Sequence, residues 1–478
     1  MDAYQAALDY VWGLVNFETR PPAQREPYRL DRMRAFLERL GNPQNAVPAV
    51  HIAGSKGKGS TAAMIEIVLR AAGHRTGLFT SPHLHSPRER IRVGGRMISR
   101  ETFVDLVGRL RPVAETLDGV TTFEFLTAMA FVHFAEAGVD VAVVEVGLGG
   151  RLDATNVIER PLVTVITPLS LEHTAVLGTT LSQIAAEKAG IVKPGVPLIC
   201  APQPAEALDV VADVAARRDA PLTLVGHTWR WERTAIALEG QTFDVTFRPC
   251  GPAEDGVALW GTACGTYRFG TRLVGLMLPL LGDHQLINAT TAVAALHEVW
   301  EQGVIWSEHA LRRGLAHVVW PARVEVMSRH PFVVVDGAHN DASARALRDT
   351  LLALVRHGLV AWDRLWLVVG LMRDKAPEAV FSPLLPLAAG VIVTQARHPR
   401  AMPADALAAR LAHFDAPFAP VVEVEPAVDR ALHRALALAG PDGAVVVAGS
   451  LFVAAEARRA VALAAARAGD FAGEATGR

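Results

Sequence analysis

The chain has 478 residues, 51% of them hydrophobic and 20% charged, with a formal net charge of −2. That length exceeds one ordinary core and calls for two or three domains, and the composition is that of a globular α/β protein rather than a disordered chain. The near-neutral balance leaves no basic footprint for nucleic acid, and no apolar run reaches the ~18 residues that a membrane span requires.

The three cysteines, Cys200, Cys250 and Cys264, form no CxxC pair. An odd, unpaired set argues against a disulfide framework or a zinc ribbon and suits a reducing, cytoplasmic compartment. The start, Met-Asp-Ala-Tyr-Gln, shows neither a basic nor an apolar leader region.

Residues 1 to about 48 read as helical, with a break at Pro21-Pro22. Ala49 to Ala53 then reads as a buried strand, followed by Gly54, Gly57 and Gly59. Thr61 to Ala72 reads as a helix, with Met64, Ile65, Val68 and Leu69 at helical spacing. A strand, a glycine-rich turn and a helix start make a phosphate cradle. Backbone N–H groups close around the anion, the helix N-terminus adds partial positive charge, and Lys58 adds a full one. Ser60 offers a hydroxyl for Mg²⁺. The general P-loop pattern is met imperfectly, because Ile52 stands where it wants Gly and Gly59 where it wants Ser or Thr. The plain alternative is a glycine-rich turn with a surface lysine.

Val141 to Glu145 and Val163 to Thr167 are β-branched runs that suit central parallel strands. Glu145 ends the first, where open α/β sheets bind ligands. If this strand neighbours the cradle strand, Glu145 points at the phosphates and can hold Mg²⁺. The alternative is an ion pair with Arg151. The turn Gly147-Leu-Gly-Gly150 lacks the third spaced glycine of a dinucleotide fingerprint. His173 occupies the matching strand-end place in the next unit, as a metal ligand or as an ordinary satisfied histidine. Leu181 to Gly190 reads as a helix.

From about Leu222 to Phe269, Trp229, Trp231, Ile236, Leu238, Phe243 and Val245 alternate with polar residues, the period of antiparallel strands. Asp283 to Trp300 is helical again, and a further helix ends near Gly314. Beyond a boundary at Trp320-Pro-Ala-Arg323, strands are expected at Phe332–Val335, Leu365–Val369, Gly390–Thr394, Val421–Val424 and Ala444–Val447. They imply a separate α/β domain of roughly 150 residues. Gly469 to Arg478 read as frayed. The expected fold is therefore α/β. It has an N-terminal P-loop-type ATP-binding domain with a small appended antiparallel sheet (1–319) and a C-terminal Rossmann-like domain (324–478).

Taken together, the motifs resemble those of the folylpolyglutamate synthase/dihydrofolate synthase family of the Mur ligase superfamily. The resemblance runs in order through nearly the whole chain. It passes through Leu40-Gly-Asn-Pro43, Gly54-Ser-Lys-Gly-Lys-Gly-Ser60 and the substrate loop Thr80-Ser-Pro-His-Leu-His-Ser-Pro-Arg-Glu-Arg-Ile91. Glu145-Val-Gly-Leu-Gly-Gly-Arg-Leu-Asp-Ala-Thr-Asn156, Leu171-Glu-His-Thr174 and Ala186-Glu-Lys-Ala-Gly190 follow. His284-Gln-Leu-Ile-Asn288, Trp320-Pro-Ala-Arg323, Asp336-Gly-Ala-His-Asn340 and Gly449-Ser-Leu-Phe452 complete it. The cradle has Ser-Lys where the family often has Thr-Asn, Glu172 stands where aspartate is common, and Phe452 where tyrosine is frequent.

The resemblance implies an ATP-dependent ligase that joins L-glutamate to dihydropteroate or a reduced folate through an acyl phosphate, with ATP in an interdomain cleft. It implies that Gly57, Lys58, Gly59 and Ser60, with Asn288, Arg323 and Asp336, bind ATP. Ser81 and Glu145 would hold one Mg²⁺, and Glu145 and His173 a second, with K⁺ a further candidate. Phe123, Leu152, Asp153 and Ala154 would line the folate pocket, and His339 and Ser450 would lie near glutamate. Lys188 would be carbamylated and support the second Mg²⁺. The alternative is a plain lysine paired with Glu187 or another acid. For Asp336 and His339 the alternative is a capped strand-to-helix turn at Asn340, for Ser450 a helix N-cap, and for Arg323 a linker arginine tying carboxylates. No nucleic-acid or membrane partner is expected, and the enzyme is expected to be a monomer. The rival functions are a Mur-type peptide ligase, which should carry a further domain before the cradle, and a P-loop ATPase without an amide product.

Overall fold

The computed structural model describes residues 2–19, 29–248, 271–412 and 421–475. Pro21-Pro22, Cys250 and Cys264 lie outside these residues, as do 249–269 of the expected antiparallel stretch and the last three of the expected frayed end. The chain forms two compact units. One comprises Met1–Ala235, Thr242–Pro279 and His284–Val318; the other Ile236–Gln241, Leu280–Asp283 and Val319–Arg478.

The first unit is built on one mixed sheet. Its strands are β1 (Ala49–Ala53), β2 (Thr76–Phe79), β3 (Ile91–Val93), β4 (Arg96–Met97), β5 (Val141–Glu145), β6 (Val163–Ile166), β7 (Leu198–Cys200) and β8 (Leu222–Leu224). Their order is β4-β3-β2-β5-β1-β6-β7-β8. Pairing is parallel from β2 to β8, and β3 and β4 add an antiparallel edge. Every residue of β1, β5 and β6 is buried, as apolar runs covered on both faces should be. β1 lies between the other two, with Ile52 opposite Glu145 and Ala53 opposite Ile166. Three strand ends from distant parts of the sequence therefore open side by side.

Helices cover both faces. Thr122–Glu136 is apolar around nearly its whole circumference and sits in the core with Phe103, Leu106 and Leu110. Thr121 and Glu124 cap its start reciprocally. Ala185, Ala207 and Val211, from two other helices, join β7 and β8 in a second cluster. Buried Cys200 belongs to it, and burial pushes its thiol up to about 12.

Several boundaries differ from the pattern. The helix after the cradle starts at Lys58 rather than Thr61, because left-handed Gly57 (φ 86°) turns the chain into it directly. Leu181–Lys188 is followed by a 3₁₀ turn, Ala189–Ile191, and does not run as one helix to Gly190. Leu222–Leu224 pairs parallel with β7 instead of starting the appended sheet. That sheet contains β9 (Trp229–Ala237), β10 (Gly240–Phe247) and β11 (Arg272–Leu278) in the order β11-β10-β9. Only Leu238 and Glu239 join β9 to β10.

The second unit carries β12 (Glu325–Arg329), β13 (Phe332–Val335), β14 (Leu365–Val369), β15 (Gly390–Val393), β16 (Val421–Val424) and β17 (Ala444–Ala448), in the order β12-β13-β17-β14-β15-β16. All pairs are parallel except the β12 edge. Its core centres on Val334, Leu367, Val369, Val391, Val393 and Val446, with Ile236 and Leu238 packed against it. Those two contacts explain why 236–241, inside the expected first domain, groups with this unit. The terminal helix runs Leu451–Ala475, past the glycine where fraying was expected. Among the described residues, no helix is long and apolar enough to cross a membrane.

Candidate active site

The cradle is fixed by close backbone packing. A Cβ on Gly54 (φ 150°) would fall 1.8 Å from Thr167 Oγ1. The Ser55 and Lys56 amides both donate to the Pro168 carbonyl, at 3.1 and 3.0 Å, and Ser55 Oγ donates to the Ser170 carbonyl at 3.0 Å. The loop after β1 is thus tied to the loop after β6. At Gly57 a Cβ would meet Asn288 Oδ1 at 2.1 Å, so Asn288 stands against the turn. Asn288 Nδ2 donates to Gln285 Oε1 at 3.0 Å. The helix starts at Lys58, and its first-turn amides have no i−4 carbonyl. Gly57, Lys58, Gly59, buried Ser60 and Asn288 are therefore brought together where an anion would be bound.

Three lysines converge beside this turn. Lys58 Nζ donates to the Gly54 carbonyl at 3.0 Å, and Lys188 Nζ to the same oxygen at 2.8 Å. Lys188 also pairs with Glu172 Oε1 at 2.9 Å, and Lys56 with Glu172 Oε2 at 3.3 Å. Burial alone would push the Glu172 carboxyl up, but Lys188, Lys56 and Lys58 outweigh it and hold the group well below its usual range. Burial, helped by Lys58, lowers the Lys188 ammonium, with Glu172 opposing. The partner of Lys188 is Glu172 and not Glu187, whose Oε1 takes Arg151 Nε at 3.0 Å. Arg151, the expected alternative partner of Glu145, thus has Glu187 as an acid partner.

Glu145 is buried at the end of β5 and accepts the Ser81 amide on Oε2 at 3.1 Å. His173 is exposed after β6, in a left-handed conformation (φ 48°), and starts the short helix Thr174–Leu177. Among the described residues, no three His, Cys, Asp or Glu side chains group as a metal cage. Mg²⁺ does not need one. It keeps waters and takes one or two carboxylates plus substrate phosphates. Glu145 with the neighbouring Ser81 fits that sparse donor set, whereas His173 lies in the loop beyond β6, which β1 separates from β5.

The expected acceptor pocket is built around the turn Gly147–Gly150. A Cβ on Gly147 would meet Phe123 Cζ at 2.4 Å, and the Phe123 ring lies 5.8 Å from that of Phe79. Buried Asp153 takes the Leu148 amide on Oδ2 at 2.9 Å and the Thr155 amide on Oδ1 at 3.0 Å. Burial raises its carboxyl, with these hydrogen bonds opposing. Phe123 and Asp153 thus meet at one turn, with Leu152 half-buried and Ala154 buried beside Asp153. The loop 80–91, expected to meet substrate, is held by its own Glu89 and by Glu18. Glu89 accepts the amides of Leu84, His85 and Ser86, while fully buried Arg90 makes paired 2.6 Å bonds to Glu18 and donates to His83 Nδ1.

In the second unit, buried Asp336 accepts the Val324 and Ala338 amides, both at 2.7 Å. Burial raises its carboxyl, and nearby Arg323 lowers it. Arg323 Nη1 donates to the Ala322 carbonyl at 2.8 Å. His339 Nδ1 lies 2.8 Å from the Gly337 carbonyl. Asn340 caps Asp341–Arg356 through Ser343, and Ser450 Oγ accepts the Phe452 amide, so both capping alternatives are present as geometry. The Gly449 amide donates to the Ala338 carbonyl at 2.7 Å, which draws Asp336, His339 and Ser450 to one end of this sheet.

Sequence reasoning missed Glu172 as the shared anion of Lys56 and Lys188, and with it the role of Lys56. The signal was a glutamate directly before a candidate ligand, in Leu171-Glu172-His173. Only the fold brings it to lysines 116 and 16 positions away.

The Mur ligase middle domain family matches residues 52–296, and the Mur ligase glutamate ligase domain family residues 322–451. The dihydrofolate synthase/folylpolyglutamate synthase of Bacillus subtilis is 35% identical over 407 residues, 84% of this chain and 86% of that protein. A probable bifunctional folylpolyglutamate synthase/dihydropteroate synthase of Haloferax volcanii is 36% identical over 459 residues, and the chain spans 50% of its length. Escherichia coli FolC in complex with DHPP and ADP superposes with a TM-score of 0.78 at 29% identity, covering 92% of this chain and 94% of that one. With both Mur ligase domains matched in order and the Bacillus relative covered over most of its length, the chain is a ligase of the folylpolyglutamate synthase/dihydrofolate synthase family.

Proposed function

We propose that the chain joins the amino group of L-glutamate to a carboxylate of dihydropteroate or a reduced folate, with ATP as the activating substrate. The observation that carries this reading is the meeting of the glycine turn, the lysines around Gly54 and Glu145 at three neighbouring strand ends. A carboxylate is a poor acyl donor, so it must first be phosphorylated. Its oxygen bonds to the γ-phosphorus as the bridging P–O bond to ADP breaks. The glutamate amine then attacks the acyl carbon, phosphate leaves, and the amine gives up a proton.

Two anions must meet in the first step, so cations have to offset their charge. Lys58 and the first-turn amides would hold the triphosphate, with Gly57, Gly59, Ser60 and Asn288 shaping the turn. Arg323 and Asp336 would contact the nucleotide, and His339 and Ser450 glutamate. Ser81 with Glu145, and Glu145 with His173, would hold Mg²⁺, which supplies further charge neutralisation when bound. Phe123 offers the acceptor ring a stacking face and Asp153 an acceptor for its amino group. Carbamylation of Lys188 belongs to the same proposal. Burial and Lys58 favour the neutral amine that reacts with CO₂, and the modification requires Lys188 to leave Glu172. The enzyme is taken as a cytoplasmic monomer, with residues 1–319 serving ATP and folate and 324–478 glutamate.

The test is ADP release and product mass with L-glutamate and, separately, dihydropteroate or tetrahydrofolate. Product should require both substrates. ADP release indifferent to both would establish an ATPase instead. Turnover unaffected by CO₂-depleted buffer, with a bare Lys188 ammonium in nucleotide-bound crystals, would remove the carbamate alone.

A further inference from the structure

β1 is a central, fully buried strand of apolar residues with one exception, His51, which has no exposed surface. Val or Ile would fill that place without a polar cost. Its Nε2 lies 2.8 Å from Thr155 Oγ1, which lies 2.6 Å from Asp153 Oδ1. His51 Nδ1 is buried without a hydrogen-bond partner.

Asp153 Oδ1 already accepts the Thr155 amide, so it is an acceptor here and the Thr155 hydroxyl donates to it. The hydroxyl oxygen is then left to accept, so His51 Nε2 carries the imidazole proton and Nδ1 is bare. The reverse arrangement would put the proton on Nδ1 and leave a buried N–H unpaired. Orphaned buried donors are rarer than under-satisfied acceptors, which favours the first arrangement. Burial, with Lys193 adding to it, pushes the imidazole down to about 3, so the ring is neutral at any working pH.

We propose that His51 and Thr155 are positioning residues for the acceptor pocket. His51 orients the Thr155 hydroxyl, which together with the Thr155 amide fills Oδ1, and so fixes the rotation of the carboxylate and the direction in which Oδ2, which also takes the Leu148 amide, faces the amino-bearing ring of the acceptor. Neither residue touches substrate. This inference rests on the reading of Asp153 as an acceptor contact. It explains why a histidine with an unpartnered nitrogen stands in the middle of the sheet, where it stabilises nothing as an apolar residue would.

The experiment is steady-state kinetics on the full chain with dihydropteroate, glutamate and ATP varied in turn. Thr155→Val and His51→Leu should each raise the acceptor KM about five- to tenfold, the scale of one hydrogen bond, with the ATP KM held within about twofold. Thr155→Ser keeps the hydroxyl and should restore the wild-type acceptor KM, and His51→Gln keeps an N–H donor and should rescue in part. Long-range ¹⁵N–¹H spectra, with His51 assigned by its loss in His51→Gln, should show a neutral Nε2–H ring. That readout stands even if His51→Leu fails to fold. An unchanged acceptor KM in Thr155→Val, while Asp153→Asn raises it, would overturn the proposal. So would a loss spread equally over ATP and acceptor, or an Nδ1–H ring. Asp153→Asn without effect on the acceptor KM would instead refute the underlying reading of Asp153.

Discussion

Glu172→Gln keeps the shape of the side chain and removes its charge. Lys188, with a side chain 2% exposed, then keeps only neutral acceptors, the Gly54 carbonyl and the new amide oxygen, and loses the carboxylate that offset its charge. Removing one member of a buried pair costs ~3–5 kcal/mol, because the remaining charge is left uncompensated. The Lys56 share is small, since its side chain is 25% exposed and a pair of that kind contributes about 1 kcal/mol or less. The Lys188 penalty also has a ceiling. A lone buried ammonium can lose its proton, so at pH 7 its burial as a charge cannot cost more than about 4.6 kcal/mol, the cost of deprotonating a lysine of pKa ~10.4. At pH 9 the ceiling falls to about 1.9 kcal/mol. The sign follows from linkage. Burial lowers the folded Lys188 value, and losing Glu172 lowers it further, so the unfolded chain binds more protons up to about pH 10.4. The variant therefore gains stability as pH rises through that window. Urea unfolding at pH 7 and pH 9, read at constant m, should show a loss of about 3 kcal/mol at pH 7 that roughly halves at pH 9. A loss under about 1 kcal/mol at pH 7, or one that does not change with pH, would refute the view that Lys188 is a buried ammonium held by Glu172.

Lys58→Ala and Glu145→Ala should each lower turnover by about 10²–10³, the effect of losing one preorganised electrostatic contact, while their far-UV spectra stay those of the parent. Near-normal turnover in Glu145→Ala would end its assignment as a metal ligand. Glu298, on the helix Asp283–Glu301, is pushed up to about 7 by burial and by Glu301. The folded state holds this proton more tightly than the unfolded one, so its contribution favours folding at low pH. Stability then falls as pH rises from about 4.5 to about 7. Glu298→Gln should abolish that fall, which urea midpoints at pH 5 and pH 8 would detect.

Much of the site was legible because its parts lie at strand ends, and strand ends are marked in sequence. The apolar run Ala49–Ala53 with its glycines, and Val141–Glu145 with its terminal carboxylate, marked both strands and the residues at their ends. Short edge strands left no such mark. Ile91–Val93 and Arg96–Met97 are too brief for a period, and Leu222–Leu224 merged with the alternating residues that follow it. Leu238 reads as one more alternating apolar residue, and only folding assigns it to a different core from Trp229. Glu172 illustrates the same limit in the site. A single acid says nothing of which lysines will reach it, because ion pairing across a hundred residues has no local pattern.

The oxygen that receives both Lys58 and Lys188 is the main-chain carbonyl of Gly54. No codon change can delete it, so a saturation scan of this protein is blind to that acceptor. Every substitution at position 54 would fail, but through the clash with Thr167, and the profile would record a steric constraint where an electrostatic one also lies. Replacing the 54–55 amide by an ester weakens the carbonyl as an acceptor and leaves the glycine in place, and although it also removes the Ser55 N–H, the Lys56 amide still holds the Pro168 carbonyl. Backbone chemistry, rather than mutagenesis, is what separates the two roles of this residue.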